Sequence, residues 1–356
     1  MTRVGAVRCA LPAYRYPQAQ LARQAGAMTD MPPVRRALME RLFSNAGVDF
    51  RSIVLPVEEY AGLGDIGRTN DLYIEHATAL GERAIASALA AAGVAPEAVD
   101  LLIVTSVTGV VVPSLDALLI PRLGLRADVK RLPIFGLGCV AGAAGLARLH
   151  DYLLAWPGHT AVLLAVEVCT LTAPMASGAT ADLVVSGLFG DGAMALVARG
   201  AEAARAVGEA ARGPRVVATR SQVYPGTTDV LGWRLGSEGF RIVLTAELSA
   251  VVEAGLGDAV RGFLAEHDLK TGDVAAWICH PGGPKVIDAV RDALGLPEAA
   301  MAASRRSLAQ VGNLSSASVL HVLQQVIEDG PPPAGSPGLM IGLGPGVSAE
   351  LVLLEW

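Results

Sequence analysis

Short apolar runs alternate with helical stretches along this chain. Residues 4–9, 101–105, 132–135, 161–168 and 193–198 are bounded apolar runs of strand length, while 71–92 and 140–154 have the length and apolar spacing of helices. Past residue 210 the same grammar begins again. A strand is predicted over 215–223, a helix over 244–264, a buried strand over 274–279, a helix over 315–327, and a closing strand pair over 339–342 and 350–354. The order predicts an α/β protein of two halves, 1–210 and 211–356, each built of strands and helices in alternation.

The halves read as an internal duplication. Ile103-Val-Thr-Ser106-Val-Thr-Gly109 lines up with Trp277-Ile-Cys-His280-Pro-Gly-Gly283, and at the same spacing Gly138-Cys139 with its small-residue helix lines up with Gly312-Asn313. A third echo, Phe189-Gly-Asp-Gly192 against Leu343-Gly-Pro-Gly346, follows in order, with the second half shorter by about twenty residues before it. A duplicated fold has a pseudo-two-fold axis. Two equivalent helix starts, one bearing Cys139 and one bearing Asn313, are therefore expected to converge, with His280 delivered from the strand end beside them.

Cys139 lies where a strand passes through Gly136-Leu-Gly138 into a helix. The free N–H groups and dipole of a helix start favour thiolate over thiol, which suits a nucleophile. A buried structural cysteine is the competing reading. His280 taken singly can be a capped strand end, and Asn313 an ordinary N-cap. Together the three suit acyl-thioester chemistry. A thiolate paired with an imidazole takes an acyl group, and amide and imidazole N–H groups stabilise the enolate left when a malonyl thioester loses CO2.

Composition narrows the field. The 356 residues are 52% hydrophobic and 17% charged, with a net charge of −6 and no basic block, so a nucleic-acid partner is not expected. No run reaches the roughly 20 apolar residues of a membrane span, and the first residues lack signal-peptide order, so a cytoplasmic protein without integral membrane association is expected. The four cysteines, Cys9, Cys139, Cys169 and Cys279, have no metal-ligand spacing and are read as free thiols, with no metal site. His76, His150, His159, His267 and His321 have no partner spacing and are read as structural. Asp191, between glycines, is read as turn chemistry.

The motifs carry a resemblance. Gly138-Cys139, Leu188-Phe-Gly-Asp-Gly192, His280-Pro-Gly-Gly-Pro284, Gly312-Asn313-Leu-Ser-Ser316 and Gly342-Leu-Gly-Pro-Gly346 together resemble a type III polyketide synthase of the chalcone and stilbene synthase superfamily, over essentially the whole length. The resemblance implies a thiolase-like fold, two duplicated α/β halves in a layered αβαβα arrangement. It implies Cys139 as the acyl-anchoring nucleophile, His280 and Asn313 as the decarboxylating pair, and Phe189 as a gatekeeper. It implies a pocket with Cys169, Thr172, Gly232, Ile242, Ser315, Gly344 and Pro345, and Val112 where such enzymes reach across a homodimer. The substrates implied are an acyl-CoA starter with malonyl-CoA or methylmalonyl-CoA as extender, with no cofactor. Whether an acyl carrier protein delivers the starter stays open. Arg51 and Lys285 are candidates for CoA phosphates.

Departures from the plant pattern bear on substrate. Ile242 stands where plant enzymes carry a second gatekeeping Phe, and Cys169 where they carry Thr. Loss of a ring widens an apolar cavity, so a long aliphatic starter and alkylpyrone or alkylresorcinol products are expected, in line with a likeness of residues 131–145 to bacterial synthases of that type. The alternatives are a tetrahydroxynaphthalene- or chalcone-type synthase, a ketoacyl-carrier-protein synthase III, and a catalytically silent subunit. His280-Pro-Gly-Gly stands where the carrier-protein family usually has Gln-Ala-Asn after its His, and the intact Cys, His and Asn argue against the silent subunit.

Overall fold

A computed structural model describes residues 1–28, 31–63, 65–172, 180–208, 213–236 and 239–356. The expected division between residues 210 and 211 lies outside them. Nine strands form one sheet among the described residues, in the order β11-β12-β13-β8-β1-β7-β6-β4-β5. Their bounds are β1 Thr2–Ala10, β4 Leu101–Thr105, β5 Lys130–Ile134, β6 Thr160–Val168, β7 Asp191–Arg199, β8 Arg215–Val223, β11 Ala276–Cys279, β12 Pro337–Gly344 and β13 Ser348–Glu355. Two small two-stranded sheets stand apart from that sheet, one pairing β2 (Tyr14–Pro17) with β3 (Phe50–Ile53) across two intervening helices, the other a hairpin of β9 (Leu231–Gly236) with β10 (Gly239–Leu244).

The duplication is written in the strand order. From the middle outward the first half runs β1, β7, β6, β4, with β6 and β4 parallel and the other neighbours antiparallel. The second half repeats this as β8, β13, β12, β11, with β12 and β11 parallel. The two meet through a short antiparallel contact, Thr2 with Val216 and Arg3 with Arg215. Only β5, parallel to β4 at the outer edge, has no counterpart in that order.

Period-two alternation then sorts side chains into layers. Along β6, Ala161, Leu163 and Ala165 face one core, while Val162, Leu164 and Val166 face another. The first core also receives Ile278, Met340 and Val352 from the second half, and it is filled by Leu146, Leu149 and Leu153 of one helix and Val319, Leu320 and Leu323 of another. These central helices, residues Ala141–Ala155 and Ser318–Glu328, are therefore clasped between the two halves of the sheet. A long helix, Ile66–Ala92, covers the outer face of the first half, and helices Glu247–Ala265 and Pro284–Leu294 cover that of the second. The result is the thiolase-like αβαβα fold. Among the described residues no helix is long and apolar enough to cross a membrane.

Two expected helices start later than their sequence suggests. Gly138–Val140 and Ser315–Ala317 are single 3-10 turns, and the α-helices begin at Ala141 and Ser318. The small residues after Cys139 have a packing reason. A Cβ at Gly142 would collide with the Ser316 carbonyl oxygen, and one at Gly145 with Leu163. The central helices thus meet at backbone distance beside Cys139. Gly142→Ala is expected to cost about 1–3 kcal/mol through this collision, read as a lower midpoint in chemical denaturation. An unchanged midpoint would contradict the close crossing.

Candidate active site

Cys139 sits in the 3-10 turn ahead of the central helix, half-buried, and its Sγ lies 3.6 Å from Ser315 Oγ, within a sulfur hydrogen bond. The turn is made possible by Gly138, whose φ of +55° is a left-handed conformation open to glycine. Pro345 packs directly on Gly138, and a Cβ on Gly344 would strike Val140. The 342–346 loop therefore braces the turn that carries the thiol.

Asn313 is fixed by its own oxygen. Oδ1 accepts the Ser315 N–H at 2.8 Å and the Ser318 hydroxyl at 3.1 Å, leaving Nδ2 as a donor near the Gly282 carbonyl at 3.5 Å. Ser315 takes a left-handed φ of +50°, rare for a residue with a side chain, and that bend turns its hydroxyl toward Cys139. Asn313 is also tied by main chain to the Phe189 segment. Its N–H donates to Leu188 O at 2.9 Å, and Gly190 N–H donates to its carbonyl at 3.0 Å. Gly282, against which Nδ2 lies, follows His280 in the 280–284 loop. Cys139, Asn313, Ser315, Phe189 and the His280 loop are thus joined by direct contacts.

His280 is buried at the end of β11, with its main-chain N–H held by Ile341 O at 2.9 Å. Its Nδ1 has no hydrogen-bond partner, and burial brings the imidazole down to about 4. The Cys139 thiol is pushed up to about 12 by burial, with the Ser315 hydroxyl pulling it down and Glu167 pushing it up. No hydrogen bond or ion pair joins Cys139 to His280 among the described residues. The expected thiolate–imidazolium contact is therefore not formed in this structure, and burial disfavours the charged form of each group.

Beneath them lies Glu167 of β6, fully buried, which sequence reading missed. Its carboxylate accepts Ser315 Oγ at 3.3 Å, the Ser316 hydroxyl, Val107 N–H at 3.0 Å and Thr108 Oγ1 at 3.0 Å. Burial raises this carboxyl while the Ser316, Val107 and Thr108 donors pull it down. A single charged residue inside the apolar run 161–168 was the available signal.

The other expected residues divide. Cys169 is buried and lines, with Phe189, Arg51, Tyr60 and Val185, a cavity of about 30 Å³. Thr172 is buried and donates to the Cys169 carbonyl at 2.7 Å. Gly232 and Ile242 lie on the β9–β10 hairpin, where Ile242 pairs across strands with Trp233. Trp233 and Ile242 both pack on the cluster that holds Cys169 and Phe189, so an indole neighbours the position expected to lack a ring. Val112 is 92% exposed and lines no wall of its own chain. Lys285 is exposed at the start of its helix. Arg51 is corrected: it is buried, donating to Gln18, Ser186 and Phe189, and is not a surface cation for phosphate. Asp191 is also more than a turn residue. It opens β7, fully buried, and accepts the Val54 and Thr170 N–H groups at 2.9 Å each.

The depressed His280 has a consequence for stability. Below pH 6.5 the unfolded chain takes up a proton that the folded chain refuses until about pH 4, so stability falls as pH drops through this window. The contribution of His280 is roughly 3 kcal/mol by the energy of a pKa shift. His280→Gln should flatten the loss measured by denaturation at pH 7 and pH 4.5 by that amount, with the share of His321, also brought to about 4 by burial, retained. An unchanged slope would mean that His280 is not held neutral.

Residues 19–203 match the family described as chalcone and stilbene synthases, N-terminal domain, and residues 215–355 match its C-terminal domain. A 1,3,6,8-tetrahydroxynaphthalene synthase of Streptomyces peucetius subsp. caesius is 53% identical over 355 residues, covering 100% of this chain and 93% of that protein. Another from Streptomyces coelicolor is 34% identical over 331 residues, covering 92% of this chain and 85% of that one. The crystal structure of the tetrahydroxynaphthalene synthase from Streptomyces coelicolor A3(2), a bacterial type III polyketide synthase, superposes with a TM-score of 0.91 at 30% identity over 99% of each chain. Matched in both halves, the chain belongs to the chalcone and stilbene synthase family and is a type III polyketide synthase, an acyltransferase that condenses CoA thioesters iteratively.

Proposed function

We propose that this synthase makes a tetrahydroxynaphthalene from malonyl-CoA alone, without an acyl starter. The observation that carries the reading is the 53% identity with a tetrahydroxynaphthalene synthase along the whole chain. This displaces the alkylpyrone and alkylresorcinol reading in favour of its alternative. The argument for a wide aliphatic pocket rested on Ile242 lacking a ring, and Trp233 beside it supplies one. Carbon count suits the reading: the ten ring carbons of a naphthalene are five two-carbon units, each left by a malonyl group after loss of CO2.

In this reading the Cys139 thiol gives its proton to the neutral His280 imidazole and attacks the malonyl thioester, and CoA thiol leaves. A second malonyl-CoA then loses CO2. The electron pair of the broken C–C bond passes to an enolate whose oxygen is held by Asn313 Nδ2 and a His280 ring N–H, each donor worth roughly 3 kcal/mol. The enolate carbon attacks the Cys139 thioester and the thiolate leaves, ready to take the lengthened chain again. The starter unit's own carboxyl leaves as CO2, and an aldol closure that expels water and a Claisen closure that expels the thiol carrying the chain complete the naphthalene. Phe189, over the Cys169 side, gates entry. The division into a half carrying Cys139 and a half carrying His280 and Asn313 belongs to the same reading.

The working unit is a homodimer. Leu132, Phe135 and Leu137 of the edge strand and the loop that leads to Cys139 are exposed, as are Val110 and Val112. Exposed apolar residues on an edge strand suit pairing with a second copy of the chain.

Purified protein given only malonyl-CoA, with no carrier protein, is expected to yield tetrahydroxynaphthalene by mass spectrometry, and Cys139→Ala none. Product that forms only with long acyl-CoA starters would return the chain to the alkylpyrone or alkylresorcinol type. Product that requires an acyl carrier protein would favour the ketoacyl-carrier-protein synthase reading.

A further inference from the structure

Arg51 is 4% exposed, and among the described residues no carboxylate is hydrogen-bonded to it. Nε donates to Gln18 Oε1 at 2.9 Å, while Nη1 donates to the Ser186 carbonyl and, at 2.8 Å, to the Phe189 carbonyl. The ring of Phe43 lies 5.3 Å from its guanidinium carbon. Burial brings the group down to about 10, still a cation at neutral pH. Gln18 completes the clamp: its Nε2 donates to Gly187 O at 2.6 Å and to Phe43 O at 3.3 Å. The carbonyls gathered are those at the end of helix Thr180–Leu188, where a positive charge meets the negative end of the dipole.

A cation is costly to bury, and this one spends both Nη1 bonds on a single short segment, Ser186 to Phe189. The peptide unit between Phe189 and Gly190 is held at both ends. Its oxygen accepts from Arg51, and its N–H donates to the Asn313 carbonyl at 3.0 Å. Polarisation by the guanidinium strengthens the second bond of such a chain. Packing adds a direct link, because a Cβ on Gly312, the residue before Asn313, would lie 3.1 Å from Arg51 Cγ.

We propose that Arg51 is a positioning residue which, through the Phe189–Gly190 peptide, sets the place of the gate Phe189 and of the Asn313 amide together. This assignment rests on the proposed role of Asn313 in decarboxylation. Arg51 touches no substrate; it holds the segment on which the donor depends. Lysine keeps the charge but cannot serve three acceptors at once in a fixed fork.

The test compares wild type, R51K, Q18L and N313A in two readouts on the purified enzyme with malonyl-CoA. One is the rate of Cys139 acylation, from intact-protein mass, and the other is the rate of CO2 release. R51K and Q18L are expected to acylate within about two-fold of wild type but to release CO2 about ten- to hundred-fold more slowly, as a donor displaced by a fraction of an ångström would require. Using both variants guards against one failing to fold. CO2 release at the wild-type rate in a folded R51K or Q18L, with N313A impaired, would overturn the positioning role alone. Equal losses in acylation and CO2 release would also overturn it, since they mark general damage. CO2 release undiminished in N313A would overturn the decarboxylation reading and the positioning role with it.

Discussion

The carboxylate of Glu167 is the point on which the site depends. It stands at the end of a strand buried on both faces, and its partners come from two directions: Val107 and Thr108 from the loop after β4 in the first half, Ser315 and Ser316 from the second. A buried carboxyl without these donors would cost several kcal/mol, so the two halves are bound to meet where the donors are. Cys139 sits above that junction on the Ser315 hydroxyl. The same acid that organises the serines also opposes ionisation of the thiol.

Around this junction the fold uses backbone more than side chains. The 3-10 turn of Cys139 is braced by Pro345, the Asn313 turn is hydrogen-bonded to the Leu188 and Gly190 main chain, and the central helices cross where glycine leaves room. Such contacts fix position with little freedom. That suits chemistry in which an enolate must meet a thioester carbon at bonding distance.

Much of the fold was legible because its strands alternate between two apolar layers. Strands 101–105 and 215–223 appear with the expected bounds, and the buried strands 161–168 and 193–198 within a residue or two. The repeat in the sequence reappears as a repeat in strand order, so the matching of His280 with Ser106 and of Asn313 with Cys139 had a physical basis. The β2–β3 pair and the β9–β10 hairpin were not legible. Most residues of β2, β9 and β10 are half- or fully exposed, and buried β3 is only four residues long with Arg51 and Ser52 in it, so neither a clean apolar run nor a long periodic pattern marks them. Helix starts at 141 and 318 were misplaced because a 3-10 turn has the same residue preferences as a first helical turn.

For the site, the sequence pointed to residues but not to their surroundings. Arg51 read as a surface cation because burial of an arginine by carbonyls alone leaves no charge pattern in sequence. Ile242 read as an opening because its cross-strand neighbour Trp233 is visible only once the hairpin register is known. The central claim is that polyketide chains grow on Cys139. Peptide mapping of enzyme quenched during turnover with labelled malonyl-CoA tests it most directly. Label of increasing mass on the peptide containing Cys139 is the result expected, and label on the peptides of Cys9, Cys169 or Cys279, or on none, would contradict it.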